Sequence, residues 1–144
     1  MEFQDFTQED ANMFGIGYAV SKYSKKVINE NDIIGFIIFQ DIQIHISNNF
    51  IEKCNNEDAR QYYKNLQKAN SICLRTIKFR NEYRYRGIVE DLFDHITNTV
   101  IPTDYIIWCY TRCLSISYIK QIGGFNPPIY LLPQQNILLF SIDS

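Results

Sequence analysis

The sequence predicts a mixed α/β, or α+β, domain built round one central sheet. Three observations carry this expectation. Short apolar runs at 27–29 and 33–39 flank a cluster of turn residues, as a β-hairpin would. Elsewhere apolar residues recur at helical spacing, as at Ile88, Leu92 and Ile96. The two patterns interleave in the order strands, helix, strand, turn, helix, strand, helix, strands, which suits a single sheet with helices packed on it.

At 144 residues the chain has room for one domain of ordinary size, taken here as 1–144. With 46% apolar and 15% aromatic residues, a filled core is expected and extensive disorder is excluded. A net charge of −2 leaves no electrostatic footprint for duplex nucleic acid, so no nucleic-acid partner is expected. No apolar run approaches the roughly 20 residues that span a bilayer, and Met1-Glu2-Phe3-Gln4-Asp5 lacks the basic and apolar regions of a signal peptide. Cys54, Cys73, Cys109 and Cys113 form neither a disulfide framework nor a CxxC pair. The expectation is a cytoplasmic domain with buried structural thiols, no metal site and no membrane partner.

Taken in order, Thr7 with Asp10 gives a helix-start signal, and Ala11, Phe14 and Tyr18 would share one helical face. Gly15 and Gly17 both weaken that helix, and the lone Gly15-Ile16-Gly17 lacks the strand and third glycine of a nucleotide loop. Glu30-Asn31-Asp32 provides the hairpin turn. Strict alternation over 42–46 predicts a further strand, with the isoleucines on one face and His45 on the other. Asn55 or Asn56 caps a helix running to about Lys68, with Ala59, Tyr62, Tyr63 and Leu66 as its apolar stripe. Residues 72–79 read as a strong strand and the helix of Ile88, Leu92 and Ile96 begins at Gly87. Pro102 follows it, 105–110 forms another strand, and Leu114, Tyr118 and Ile122 mark a short helix stopped by Gly123-Gly124. Two last strands, at 128–133 and 136–142, are joined by Gln134-Gln135.

The strand-to-helix passage at Arg84 carries the most chemistry. A helix N-terminus presents unpaired N–H groups and a partial positive charge. A glycine there lets a ligand approach the backbone, and Arg84 and Arg86 can add charge-assisted hydrogen bonds, so Arg84-Tyr85-Arg86-Gly87-Ile88-Val89 reads as an anion site or as a basic surface turn.

The stretch from Phe79 to Ile88 resembles the signature of the GNAT superfamily of N-acetyltransferases, in which V-x-P-E-Y-R-G-K-G-I precedes the pattern Q/R-x-x-G-x-G/A. Glu82, Tyr83, Arg84, the basic Arg86, Gly87 and Ile88 match; Asn81, Tyr85 and Val89 depart from proline, glycine and the final glycine or alanine. The later order of elements, ending Ile122-Gly123-Gly124-Phe125, is similar to the family's as well, so the resemblance covers roughly 26–142. It implies a mostly antiparallel central sheet with helices on both faces, splayed between the two central strands. It also implies a shortened N-terminal part and a helical insert at about 48–70, which would replace part of the wall on the acceptor side.

The function implied is acetyl-CoA-dependent transfer of an acetyl group to a primary amine of a small molecule or protein. The alternative is a catalytically degenerate GNAT-like domain that binds CoA or a protein partner. The cradle for coenzyme A would be Arg84, Tyr85, Arg86, Gly87, Ile88 and Val89, with the strand edges at Ile77 and Phe79 pairing with its pantetheine arm. The family's thiolate-protonating tyrosine falls at Ile119, so Tyr118 would serve only after a shift of about 100° round the helix. His45 is the candidate base by its intrinsic pKa. Apolar C-terminal strands are candidates to pair two copies into a homodimer.

Overall fold

The computed structural model describes residues 1–111, 114–126, 129–132 and 137–143. In chain order the elements are β1 (Glu2–Asp5), α1 (Gln8–Met13), β2 (Lys25–Asn29), β3 (Asp32–Gln40), α2 (Asn48–Glu52), α3 (Glu57–Lys68), β4 (Ser71–Phe79), α4 (Ile88–His95), β5 (Ile106–Tyr110), α5 (Ile116–Ile122), β6 (Ile129–Leu132) and β7 (Ile137–Asp143). A single π-helical turn, Ile96–Val100, extends α4. The strands form one sheet in the order β1-β2-β3-β4-β5-β7-β6. Every neighbouring pair is antiparallel except β4 with β5.

Local chemistry sets most of these boundaries. Asn29 pairs with Asp32 across the hairpin, so the turn is the two residues Glu30 and Asn31, at φ 52° and 69°. Both central residues at positive φ is the geometry whose twist matches flanking strands. Thr7 caps α1 reciprocally: the Asp10 N–H donates to Thr7 Oγ1 at 3.1 Å, and the Thr7 N–H donates to Asp10 Oδ2 at 2.9 Å. The helix ends at Met13, and Gly15 takes φ 70°, so Tyr18 lies beyond the helix the apolar spacing suggested. Asn56 caps α3 through hydrogen bonds from the Asp58 and Ala59 N–H groups.

Helices cover both faces of the sheet. On one face α4 and α5 bury Val89, Leu92, Phe93, Tyr118 and Ile119 in a cluster with Ile37, Ile72, Ile77, Phe79, Ile107 and Cys109. The opposite face carries two separate clusters. One joins Phe6 and Ala11 to Phe36 and Ile38; the other joins Ile51 and Leu66 to Cys73 and Trp108. Cys73 and Cys109 are buried, as expected, whereas Cys54 is half-buried and Cys113 lies outside the described residues.

The expected strand at 42–46 does not form. Its alternation holds in burial, since Ile44 and Ile46 are buried and His45 is exposed, but no strand among the described residues accepts it as a partner. The β3 ladder stops at Cys73, and the Ser71 N–H beyond it donates to Gln43 Oε1 at 3.0 Å rather than to a strand carbonyl. Side chains hold the segment instead. The Ile44 N–H donates to Ser71 Oγ at 2.8 Å, and Trp108 Nε1 donates to the Ile42 carbonyl at 3.0 Å. The two final strands are present as expected; the residues joining them lie outside the described ones.

Candidate active site

Among the described residues the parallel pairing of β4 with β5 runs through Ser71–Ile106, Ile72–Ile107 and Cys73–Trp108. Beyond Cys73, β4 continues to Phe79 with its other edge still held by β3. From Leu74 to Phe79 its β5-facing edge therefore has no strand partner among the described residues. The register against β3 slips in the same place: Ile38 pairs with Thr76 and Phe39 with Leu74, leaving Arg75 as the extra residue of a bulge. Bulges bend a strand and end pairing, so this one helps turn β4 away from β5.

At the far end of that open edge, consecutive turns bring the chain into α4. The Tyr83 N–H donates to the Arg80 carbonyl at 2.9 Å, Arg84 to Asn81 at 3.4 Å and Arg86 to Tyr83 at 3.4 Å. Gly87 is the N-cap at φ 83°, in the left-handed region, with no side chain to cap the first turn. A Cβ at Gly87 would meet nothing within 4 Å, so the backbone lies open. The first-turn N–H groups have no carbonyl one turn earlier to bond. Glu90 and Asp91 occupy that turn, but the Glu90 carboxylate accepts from Gln121 Nε2 at 2.5 Å instead of folding back as a cap. Exposed backbone donors at a helix start suit an anion.

The two arginines of the turn divide the work. Arg86 is exposed, with its guanidinium 5.4 Å from the Tyr83 ring centroid. Arg84 turns back onto α5: its guanidinium carbon lies 3.9 Å from the centroid of Tyr118, and Nη2 donates to Ser117 Oγ at 2.5 Å. Gln121 Nε2 also donates to the Arg84 carbonyl at 2.8 Å. Arg84 Nε and Gln121 Oε1 are buried with no hydrogen-bond partner among the described residues. The unpaired Arg84 N–H beside a helix start is a donor that fits a polar, anionic group.

No protein-family model and no curated protein matches the sequence. Solved structures do match the fold. Naa50 from Arabidopsis thaliana, solved with the bisubstrate analogue CoA-Ac-MVNAL, superposes at a TM-score of 0.57 with 11% identity, over 99% of this chain and 98% of its own. The loading GNATL domain of CurA from Lyngbya majuscula superposes at 0.56 with 12% identity, over 99% of this chain and 96% of its own. The chain has the GNAT fold. At these identities the likeness is one of fold, and it extends from end to end.

Within the GNAT fold the expected site residues separate into two groups. Arg84, Tyr85, Arg86, Gly87, Ile88 and Val89 gather at the start of α4, with Ile77 and Phe79 on the strand leading there. Tyr118 joins them through Arg84; it is 8% exposed, and no hydrogen bond to its hydroxyl occurs among the described residues. Ile119, at the position the resemblance assigns to a tyrosine, is buried in the same cluster. His45 is exposed beside the start of β4, where β4 and β5 are still paired, and is not brought to the open edge. His95 packs against Phe3 at a centroid distance of 5.3 Å, on the β1 side.

Sequence reasoning gave no site role to Tyr18 and Thr76, on the opposite face of the opening. Thr76 and Lys78 pair across from Ile38 and Phe36, so they share the face covered by α1. The Tyr18 hydroxyl meets Thr76 Oγ1 at 2.5 Å, and the Arg75 guanidinium lies 4.8 Å from the Tyr18 ring centroid. On the far side Leu66 packs with Cys73 and Trp108, and the Tyr62 hydroxyl reaches Ser141 at 3.4 Å. The signal was there: Arg75-Thr76 puts two polar residues in succession inside an apolar strand, which marks a bulge.

Proposed function

We propose that this domain is an acetyl-CoA-dependent N-acetyltransferase that moves an acetyl group to a primary amine of a small molecule or protein. One observation carries the reading: the open edge of β4 leads directly to an uncapped helix start at Gly87. Acetyl-CoA would bring the acetyl group as a thioester that a neutral amine attacks. The N–H groups of Gly87, Ile88 and Val89 would hold its pyrophosphate, with Tyr85 and Arg86 at the rim and Arg84 bracing the turn from behind. Backbone groups near Ile77 and Phe79 would pair with its amide-bearing arm, replacing the absent β5 partner. The Tyr118 hydroxyl would protonate the departing thiolate. Helix α3, through Tyr62 and Leu66, would wall the acceptor side.

A second reading rests on a specific observation. The Tyr118 ring is held under Arg84, Ile119 fills the family's tyrosine position, and His45 stands at the wrong end of β4. A domain so arranged could bind CoA without turnover. Thermal shift with acetyl-CoA and with CoA separates the cases, because a ligand at 100 times its Kd adds about 2.7 kcal/mol. A shift with CoA release from an amine panel supports the transferase. A shift without release supports the binding domain, and no shift with either ligand overturns both.

A further inference from the structure

The face opposite α4 and α5 is apolar on both sides of the opening and polar between them. Phe36 and Ile38 lie under α1 and its following loop, and Cys73 and Trp108 lie under α2 and α3, in clusters that do not merge. Between them β4 presents Arg75, Thr76 and Lys78. Arg75 is half-buried at the bulge, two residues past the last β4–β5 pair. Among the described residues neither Arg75 nor Lys78 enters an ion pair. The Arg75 guanidinium is instead laid on the Tyr18 ring, and Tyr18 is fixed by its hydroxyl contact with Thr76. A stacked, planar guanidinium keeps its hydrogen-bonding fork free and is pre-organised for a carboxylate.

We infer that the acceptor carries a carboxylate close to its reactive amine, and that Arg75, supported by Lys78, binds that carboxylate at the mouth of the opening. The inference rests on the transferase reading and adds the class of acceptor. Two sources share this chemistry: a free α-amino acid, and a peptide whose first residues have acidic side chains. The same cations disfavour polyamines and basic peptides, whose own positive charges would have to sit beside Arg75.

The test uses the full chain with acetyl-CoA and measures kcat/KM for free glutamate, for a short peptide beginning with acidic residues, for its neutral counterpart and for spermidine. The wild-type protein is expected to favour at least one acidic acceptor over the neutral peptide by about tenfold or more. Arg75→Gln is expected to cut that acidic-to-neutral ratio by about tenfold while the acetyl-CoA thermal shift persists. Which acidic acceptor wins identifies the source. A wild-type protein that acetylates the neutral peptide or spermidine as well as either acid overturns the inference, as does an Arg75→Gln protein with an unchanged ratio. If Arg75→Gln does not fold, Lys78→Gln and the wild-type panel decide on the same criteria. If acetyl-CoA gives no thermal shift, the transferase reading has failed separately. Direct titration of the acidic peptide then decides the anion site: weaker binding to Arg75→Gln keeps it, and equal binding removes it.

Discussion

The guanidinium of Arg84 covers the ring of Tyr118 at 3.9 Å while donating to Ser117, so one side chain ties the turn before α4 to two successive residues of α5. This arginine, expected to meet the phosphates of coenzyme A, braces the turn against α5. Arg84→Ala should lower stability by about 1–2 kcal/mol, the range of a desolvated cation–π contact, and weaken CoA binding as the turn loosens. Tyr118→Phe keeps the stacked ring, so it should leave stability nearly unchanged. If its hydroxyl protonates the thiolate, kcat should fall by about a hundredfold or more with acetyl-CoA binding retained. Urea denaturation and steady-state kinetics on the two variants separate these effects.

Gly87 sits at φ 83° with open space where a side chain would go. Gly87→Ala therefore meets no clash and should cost about 1–2 kcal/mol through left-handed backbone strain alone. Gly87→Val adds bulk over the first-turn N–H groups and should remove the CoA-induced thermal shift. A Gly87→Val protein that folds and still shows the full shift would place the ligand elsewhere.

Gly35 on β3 lies opposite Phe79 on β4, and a Cβ there would stand 2.1 Å from Phe79 Cδ1. The ring occupies the space a side chain would need. Gly35→Ala should destabilise the domain by about 1–3 kcal/mol as the ring is pushed off its position. Combining it with Phe79→Leu should cost less than the sum of the two single changes, a coupling that a double-mutant cycle in urea measures directly.

Asp10 accepts from Lys26 Nζ at 2.8 and 3.0 Å and from the Thr7 N–H at 2.9 Å. Burial opposes its ionisation, but the hydrogen bonds and charge of Lys26 and the Thr7 contacts prevail, and its carboxyl titrates below the ordinary carboxylate value. The contribution to stability is thus complete above the unfolded-state pKa of about 4 and disappears as pH falls through the lower folded value. Thermal melts from about pH 6 down to pH 2 should show the wild-type protein losing stability on this limb. Asp10→Asn should be less stable at neutral pH and should show a flatter acid limb.

What could be read from the sequence was what neighbouring residues decide among themselves. The hairpin announced itself at Glu30-Asn31, the α1 cap at Thr7 and Asp10, and the start of α4 at Gly87. β1 has only Glu-Phe-Gln-Asp to offer; it is a strand because β2 presents a free edge to it. Residues 42–46 have the pattern of a strand, but the side chains of Ser71 and Gln43 take the backbone N–H groups that a ladder would use. In the site, the glycine turn was legible because its conformation is local. The use of Arg84 was not, because Ser117 lies 33 residues away, and the Tyr18–Thr76 contact spans 58.

Since β4 and β5 pair, among the described residues, from Ser71–Ile106 to Cys73–Trp108 and no further, the sheet is two half-sheets fastened at one end like the jaws of a clothes peg. The open halves can change their spacing at little cost in hydrogen bonds, because no strand rung joins them among the described residues. A ligand that supplies them becomes a temporary eighth strand and stiffens the molecule across its whole width. Amide protons of Leu74–Phe79 that point into the seam should then exchange slowly only while the ligand is in place, which makes occupancy and rigidity one property of this domain.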